Sequence, residues 1–315
     1  MKLRLLSALT LTLGVLAVPQ VPAVAAAACT WQVSDLPAPS GYSHPEATGH
    51  AGTGRVVGTV WKTDHREGVV WTNGSPQVLP QPRATGGSNY PRAVNSSGVV
   101  TGYWAGSDGY TAAWRYQNGA YQFLPGIGTQ VSVPTTINDN GDIAGFSRHF
   151  LGGAKVYAVL WRTDRPGEIT NFGEGSAAGV DNSRRVMLST GVLVDADGSE
   201  VMRLQGDGRP KEYQDGRIVG WSGSAKPYTI VEWNLSGQVV RKIPGGVPSG
   251  INSAGAIVGT HDNGNAAVWR DGGVEYVTSP APTGDYVRDI TEDNAVVSTY
   301  KKDGTTRSGI WRSTC

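Results

Sequence analysis

Asn95-Ser-Ser-Gly-Val-Val-Thr-Gly102 is the stretch on which the architecture turns. It is echoed by Asn138-Asp-Asn-Gly-Asp-Ile-Ala-Gly145 and by Asn252-Ser-Ala-Gly-Ala-Ile-Val-Gly259. Shorter forms stand at Gly54-Arg-Val-Val-Gly58 and Gly216-Arg-Ile-Val-Gly220, and two decayed copies end in Leu188 and Ser298. Each copy leads into an apolar segment ending in Trp, at Trp71, Trp114, Trp161, Trp233, Trp269 and Trp311. The fourth copy has Val194 instead. The unit recurs about every 40 residues, the length of a four-stranded propeller blade.

In the second unit the pattern predicts strands at Tyr90–Asn95, Val99–Trp104, Thr111–Tyr116 and Tyr121–Leu124, labelled a to d. Asn-Gly and Asp-Gly pairs, as at Asn73, Asn118, Asn263 and Asp303, suit hairpin turns whose central residues take positive φ. The Asn-x-x-Gly falls in the a–b turn, and the next Gly lies on strand b, where a close neighbour needs room. Trp on strand c offers a large apolar face for packing between units. The expected fold is all-β: a seven-bladed β-propeller of four-stranded blades. A β-solenoid is the competitor, but its coils are usually shorter.

Composition agrees. The chain has 315 residues with 44 Gly, 10 Trp and 12 Tyr but only 3 Met and 4 Phe, which argues against a helical bundle. An apolar share of 39% excludes wholesale disorder. The net charge is +1 and no basic cluster occurs, which excludes counterion-driven nucleic-acid binding.

Residues 1–28 have the order of a secretory signal peptide: Lys2 and Arg4, an apolar run from Leu5 to Val18, then small residues to Ala28. The rival reading is a lipoprotein acylated at Cys29, although Ala26-Ala-Ala28 lacks the usual Leu. No other hydrophobic span follows, so one secreted domain over 29–315 without a membrane span is expected, as a monomer.

The last repeat offers Val287–Thr291, Ala295–Tyr300 and Ser308–Arg312, and then lacks a fourth strand. Trp31-Gln-Val-Ser-Asp-Leu36-Pro37 resembles Tyr121-Gln-Phe-Leu124-Pro125, so the N-terminal strand is expected to complete the last blade. That alignment puts Cys29 and Cys315 at one hairpin tip. An exported protein would oxidise them to a disulfide.

Catalytic signals are weak. The five His make no H-x-x-x-H or H-x-H pair, so no metal is expected, and no G-x-S-x-G elbow or dinucleotide fingerprint occurs. Asp195-Ala-Asp197-Gly198 is read as a hairpin turn rather than a calcium loop. Thr260-His-Asp262-Asn-Gly264 through Trp269 approaches a sialidase-type Asp box but is two residues too long. The b–c connections vary most, and with the d–a loops they would share one face. The ligand-binding candidates there are Trp61, His65, Trp104, Tyr110, His149, Trp221, Tyr228 and His261, with no cofactor and no catalytic residue assigned.

The repeats resemble the bacterial extracellular HAF-repeat family, whose units read approximately I-N-x-x-G-x-V-V-G, then H-A-F-x-W, then D-L-G. The matching segments are Ile137 to Gly145 with Tyr157-Ala-Val-Leu-Trp161, and Ile251 to Gly259 with Asn265-Ala-Ala-Val-Trp269. Tyr157 and Asn265 replace the His of the motif, and D-L-G survives only as Asp35-Leu36-Pro37. The resemblance implies a secreted propeller-like repeat protein and supplies no catalytic residues. The leading expectation is a noncatalytic binding module for an extracellular glycan, cell surface or protein. The alternative is a propeller-fold extracellular carbohydrate hydrolase or lyase, which acidic and His residues converging in the central channel would favour.

Overall fold

The computed structural model describes residues 30–314, apart from 53, 85, 129, 150–154, 215, 271–272 and 279–286. The expected leader, Cys29 and Cys315 lie outside the described residues. Strand β1 (Trp31–Leu36) comes first. Then β2 (Ser43–Ala51), β3 (Arg55–Lys62), β4 (His65–Thr72) and β5 (Ser75–Val78) pair antiparallel in chain order. The same arrangement recurs in β6 (Ser88–Val94), β7 (Val100–Ala105), β8 (Thr111–Gln117) and β9 (Ala120–Phe123). It recurs again in β10 (Gln130–Ile137), β11 (Ile143–His149), β12 (Val156–Trp161) and β13 (Thr170–Glu174). One parallel contact, Val131 with Thr111, joins these last two sets into an eight-stranded sheet.

Three further four-stranded sheets follow. They are β14 (Ala177–Val180), β15 (Val186–Leu188), β16 (Val192–Val194) and β17 (Glu200–Arg203); β18 (Arg209–Gln214), β19 (Arg217–Ser222), β20 (Thr229–Trp233) and β21 (Val239–Pro244); and β22 (Gly246–Ile251), β23 (Ile257–His261), β24 (Ala266–Arg270) and β25 (Gly273–Tyr276). The final sheet is composite. β26 (Asp289–Ile290), β27 (Val296–Lys302) and β28 (Thr305–Ser313) take β1 as their fourth strand, with Trp31 opposite Ser313 and Leu36 opposite Ser308. Among the described residues there is no helix.

The inner strands share one irregularity. Their register slips by one residue at Thr48, Arg92, Thr135, Ala178, Lys211 and Ser249. A bulge of this kind turns the backbone and re-aims a side chain. It also pushes a carbonyl toward the second strand, and this explains the repeated Gly there. A Cβ on Gly58, Gly145 or Gly259 would stand 2.1, 2.2 or 2.1 Å from the carbonyl oxygen of Glu46, Val133 or Val247. No side chain fits at that distance.

Neighbouring sets pack in sequence, β2 on β6, β6 on β10, β10 on β14, β14 on β18, β18 on β22 and β22 on β26, while β2 also touches β27 and β28. The third-strand Trp residues fill the gaps: Trp71, Trp114, Trp233, Trp269 and Trp311 are fully buried. A Trp in such a place takes roughly 200 Å² out of water, and truncation to Ala costs about 3–5 kcal/mol. The indole N–H of Trp71 donates to the Pro37 carbonyl at 2.8 Å, and that of Trp161 to the Pro125 carbonyl at 2.7 Å. The Leu-Pro endings at Pro37 and Pro125 thus cap the Trp of the next set, whereas the Trp114 indole N–H after Leu79-Pro80 has no hydrogen-bond partner.

The repeated Asn is a staple between sets. Asn95 donates to the carbonyl of Asn138 at 3.0 Å, Asn138 to that of Asp181 at 2.7 Å, and Asn252 to that of Thr291 at 3.0 Å. Each Oδ1 also accepts a backbone N–H of its own turn, from Val99, Asp142 or Ala256. Asn138→Ala strands both buried partners and is expected to lower the unfolding free energy by about 2–3 kcal/mol. Urea unfolding followed by Trp fluorescence measures this, and a change below about 0.5 kcal/mol would contradict the staple.

Candidate functional site

The inner strands surround a cavity of about 1040 Å³. The six bulge residues line it, and Arg288 lines it from the composite sheet. There the Arg288 N–H bonds the Val297 carbonyl while Asp289 pairs with Val297, so two residues again oppose one. The residue after each bulge forms a second tier: Gly49, Ala93, Thr136, Gly179, Glu212, Gly250 and Asp289. Two of these positions carry carboxylates.

Those two carboxylates meet. A Cβ on Gly250 would stand 2.2 Å from Asp289 Oδ1 and 3.2 Å from Glu212 Oε2. Gly250, on the strand between them, leaves the space through which they converge. His50 completes the group, its Nε2 lying 3.1 Å from Asp289 Oδ2 and 3.2 Å from the Ile290 carbonyl. Three chemistry-bearing residues thus come from β2, β18 and β26.

Their electrostatics are interlocked. Burial pushes the Glu212 carboxyl well above the usual range, and the negative charge of Asp289 adds to it. Lys211 and a bond from the Ile251 backbone oppose without prevailing. For His50, burial pulls the imidazole down, but the charge and hydrogen bond of Asp289 and the Ile290 carbonyl outweigh it, so its affinity for a proton is raised. Glu212 and His50 therefore both hold a proton more tightly than usual, beside the Asp289 carboxylate. Glu212 Oε2 and His50 Nδ1 are sealed from solvent and have no hydrogen-bond partner. All three residues line the cavity, and Asp289 has 19% of its side chain exposed against 6% for His50.

Of the eight loop residues expected to bind ligand, Trp221 alone lines this cavity among the described residues. Trp61 lies under the Arg66 guanidinium, 4.9 Å from its ring centroid. His65 bridges Asp64 and Glu67 at 3.1 Å each, and the Asp64 hydrogen bond leads in raising its proton affinity. Trp104 is buried at 5% exposure beneath Arg83, so it is packed rather than open for stacking. Tyr110 shares that Arg83. His149 ends β11, and its side chain is outside the described residues.

The Tyr228 backbone N–H donates to Asp262 Oδ2 at 3.0 Å, which occupies the near-Asp-box carboxylate in tying two loops together. His261 stacks on Trp269 and meets Tyr276 edge-on. Asp195 and Asp197 both accept the Ser199 N–H, the hydrogen bonding of a turn. Among the described residues no group of three or more His, Cys, Asp or Glu is placed to hold a metal ion. No helix among them is long and apolar enough to cross a membrane.

The motif search passed over His50, Glu212 and Asp289 because none lies in the repeated segments. One signal was available. Aligning Pro91-Arg-Ala93, Pro134-Thr-Thr136, Pro210-Lys-Glu212 and Pro248-Ser-Gly250 exposes a column in which Glu212 is the outlier.

No protein-family model matches the chain, and no curated protein matches it. Solved structures do share its fold. An oligogalacturonate lyase from Vibrio parahaemolyticus superposes with a TM-score of 0.56 at 10% identity, covering 90% of this chain and 96% of that one. An oligogalacturonate lyase in complex with manganese gives 0.58 at 12% identity over 90% and 96%. A chain of the mitotic checkpoint complex gives 0.59 at 13% identity over 96% and 98%. At such identities the likeness speaks for the fold alone, an all-β architecture of propeller type built from four-stranded antiparallel sheets.

Proposed function

We propose that this chain is a carbohydrate-active enzyme of the hydrolase or lyase class, working from the central cavity. The observation that supports this reading is the convergence of His50, Asp289 and Glu212 from three separate sheets, with burial and the neighbouring Asp289 raising the proton affinity of Glu212. Both reactions need a proton for the departing glycosidic oxygen. Glu212, which lines the cavity beside Asp289 and His50, would donate that proton and keep the negative charge, and the adjacent His50 would offset the charge of the two carboxylates. Two superposable solved structures are described as oligogalacturonate lyases, which keeps carbohydrate chemistry in view.

The test is a panel of extracellular polysaccharides scored for new reducing ends and for unsaturated products. Glu212→Gln, which keeps the shape but cannot exchange a proton, is expected to lower turnover by about 10²- to 10⁴-fold. The wild-type rate should fall as pH rises through the elevated Glu212 titration. Equal turnover by wild type and variant would remove Glu212 from the chemistry.

The second reading is the noncatalytic binding module. It is favoured by the sealing of Glu212 Oε2 and His50 Nδ1, which also suits a clamp between sheets. It expects Glu212→Gln to change stability while no glycan in the panel is cleaved.

We also propose that the sheets form a closed seven-bladed ring in a secreted protein related to the HAF-repeat family, with 1–28 removed as its leader. The cyclic order of contacts supports closure, as do the Ser308 hydroxyl bonds to the Pro45 carbonyl and from the Ala47 N–H at the seam, each 2.9 Å. A Cys29–Cys315 disulfide would lock that seam. Thr314 donates to the Thr30 carbonyl at 2.9 Å, in register with β1 on β28. Cys29 and Cys315 are the residues next to these in the sequence.

A further inference from the structure

The tiers of the cavity wall differ in charge. The six bulge positions and Arg288 carry Thr48, Arg92, Thr135, Ala178, Lys211, Ser249 and Arg288: three cations and no acid. At the a–b turns, by contrast, the acids are engaged. Asp139 accepts from the Ser96 backbone and hydroxyl, Asp181 pairs with Arg185, and Glu292 accepts from Ser253. Among the described residues Arg92 and Lys211 form no ion pair, although both are exposed to the cavity. They stand on β6 and β18, three sheets apart, so an extended ligand in the cavity can meet both. Lys211 is also next in the chain to Glu212.

The lining also holds Asp139, Asp181, Glu212, Asp289 and Glu292, so the anion contacts on offer are local ones at the exposed Arg92 and Lys211 rather than a field of the whole wall. A guanidinium matches a planar carboxylate with two parallel hydrogen bonds, and an ammonium adds a point charge. Trp221 at the cavity wall supplies a flat apolar surface of the kind a sugar ring covers. Gly49, Ala93 and Thr136 keep the lining slim at this level, so a saccharide reaches down to Asp289.

We propose that the cavity binds a uronic-acid oligosaccharide, with its carboxylates held by Arg92 and Lys211 and its glycosidic oxygen presented toward Asp289. This rests on the carbohydrate-active reading above for the class of molecule. The binding itself does not depend on turnover.

Calorimetric titration with a galacturonic acid trimer, a neutral galactose trimer and a sulfated galactan oligosaccharide tests it. The uronide is expected to bind at least tenfold tighter than the neutral trimer, and more weakly as salt rises from about 50 to 500 mM. Arg92→Gln and Lys211→Gln should each weaken uronide binding about tenfold or more, with unchanged melting temperatures.

Equal affinity for neutral and acidic trimers, or full affinity in both cation variants, would overturn the proposal. Equal binding of the sulfated oligosaccharide would overturn the carboxylate assignment. Uronide binding without cleavage would leave this inference standing while the enzymatic reading fails. Cleavage of a neutral glycan without uronide binding would do the reverse.

Discussion

Gly220→Ala is expected to destabilise the protein by about 3–5 kcal/mol, one of the largest effects of any single methyl group in the molecule. The added Cβ would stand 1.9 Å from the Arg209 carbonyl oxygen, 2.7 Å from its carbon and 2.9 Å from Pro210 Cα. All three atoms are backbone, so no rotamer change relieves the contact. Relief requires β18 to move away from β19 where Lys211 bulges. That movement displaces Lys211 and Glu212 together, so the site is lost along with stability. Gly86→Ala is the control, because nothing lies within 4 Å of a Cβ there, and it should change stability by less than about 0.5 kcal/mol. Urea midpoints followed by Trp fluorescence compare the two. Equal midpoints would show that the first and second strands can lose the bulge, and the packing explanation of the repeated Gly would fall.

Reduction of the proposed Cys29–Cys315 bond, or Cys29→Ser, is expected to cost about 4–5 kcal/mol, since a loop spanning nearly the whole chain releases the most denatured-state entropy. The seam would then depend on non-covalent contacts. Trp31 and Leu36, 4% and 2% exposed, bury β1 against its neighbours, and the Tyr300 hydroxyl donates to Asp35. Burial and that hydrogen bond push the Tyr300 hydroxyl up to about 12, so the contact persists across the physiological range. Melting with and without dithiothreitol, at a scan rate giving reversible curves, measures the difference. Two reactive thiols in the native protein, or an unchanged melting temperature on reduction, would remove the bond from the account.

Both effects sit in features visible in the one-dimensional chain. The Gly at 58, 102, 145, 220 and 259 stands out by repetition, and so does the space it must leave. Its partner does not, because the bulge that directs a carbonyl at each of these Gly residues lies on the preceding strand, where residue types vary. The repeated Asn was legible as a turn residue. Its amide, which reaches the next set's carbonyl, was not, because that contact depends on how sets stack. The Trp positions were read as packing, and the Trp71 and Trp161 bonds to Pro37 and Pro125 add why Leu-Pro recurs. Of the eight loop residues expected to bind ligand, Trp221 alone lines the cavity among the described residues, and local contacts hold Trp61, His65, Trp104 and His261.

The sequence by itself determined the repeat, the strands of each unit and the pairing of β1 with β28. Each follows from turn chemistry and alternation within a few residues, or from matching one unit to another. Only the tertiary structure decided where the chemistry gathers. His50, Glu212 and Asp289 are unremarkable in their own strands and far apart in the chain. The proton affinities of Glu212 and His50 are raised by burial or by the charge of Asp289, and both causes exist only once the sheets have packed around the cavity.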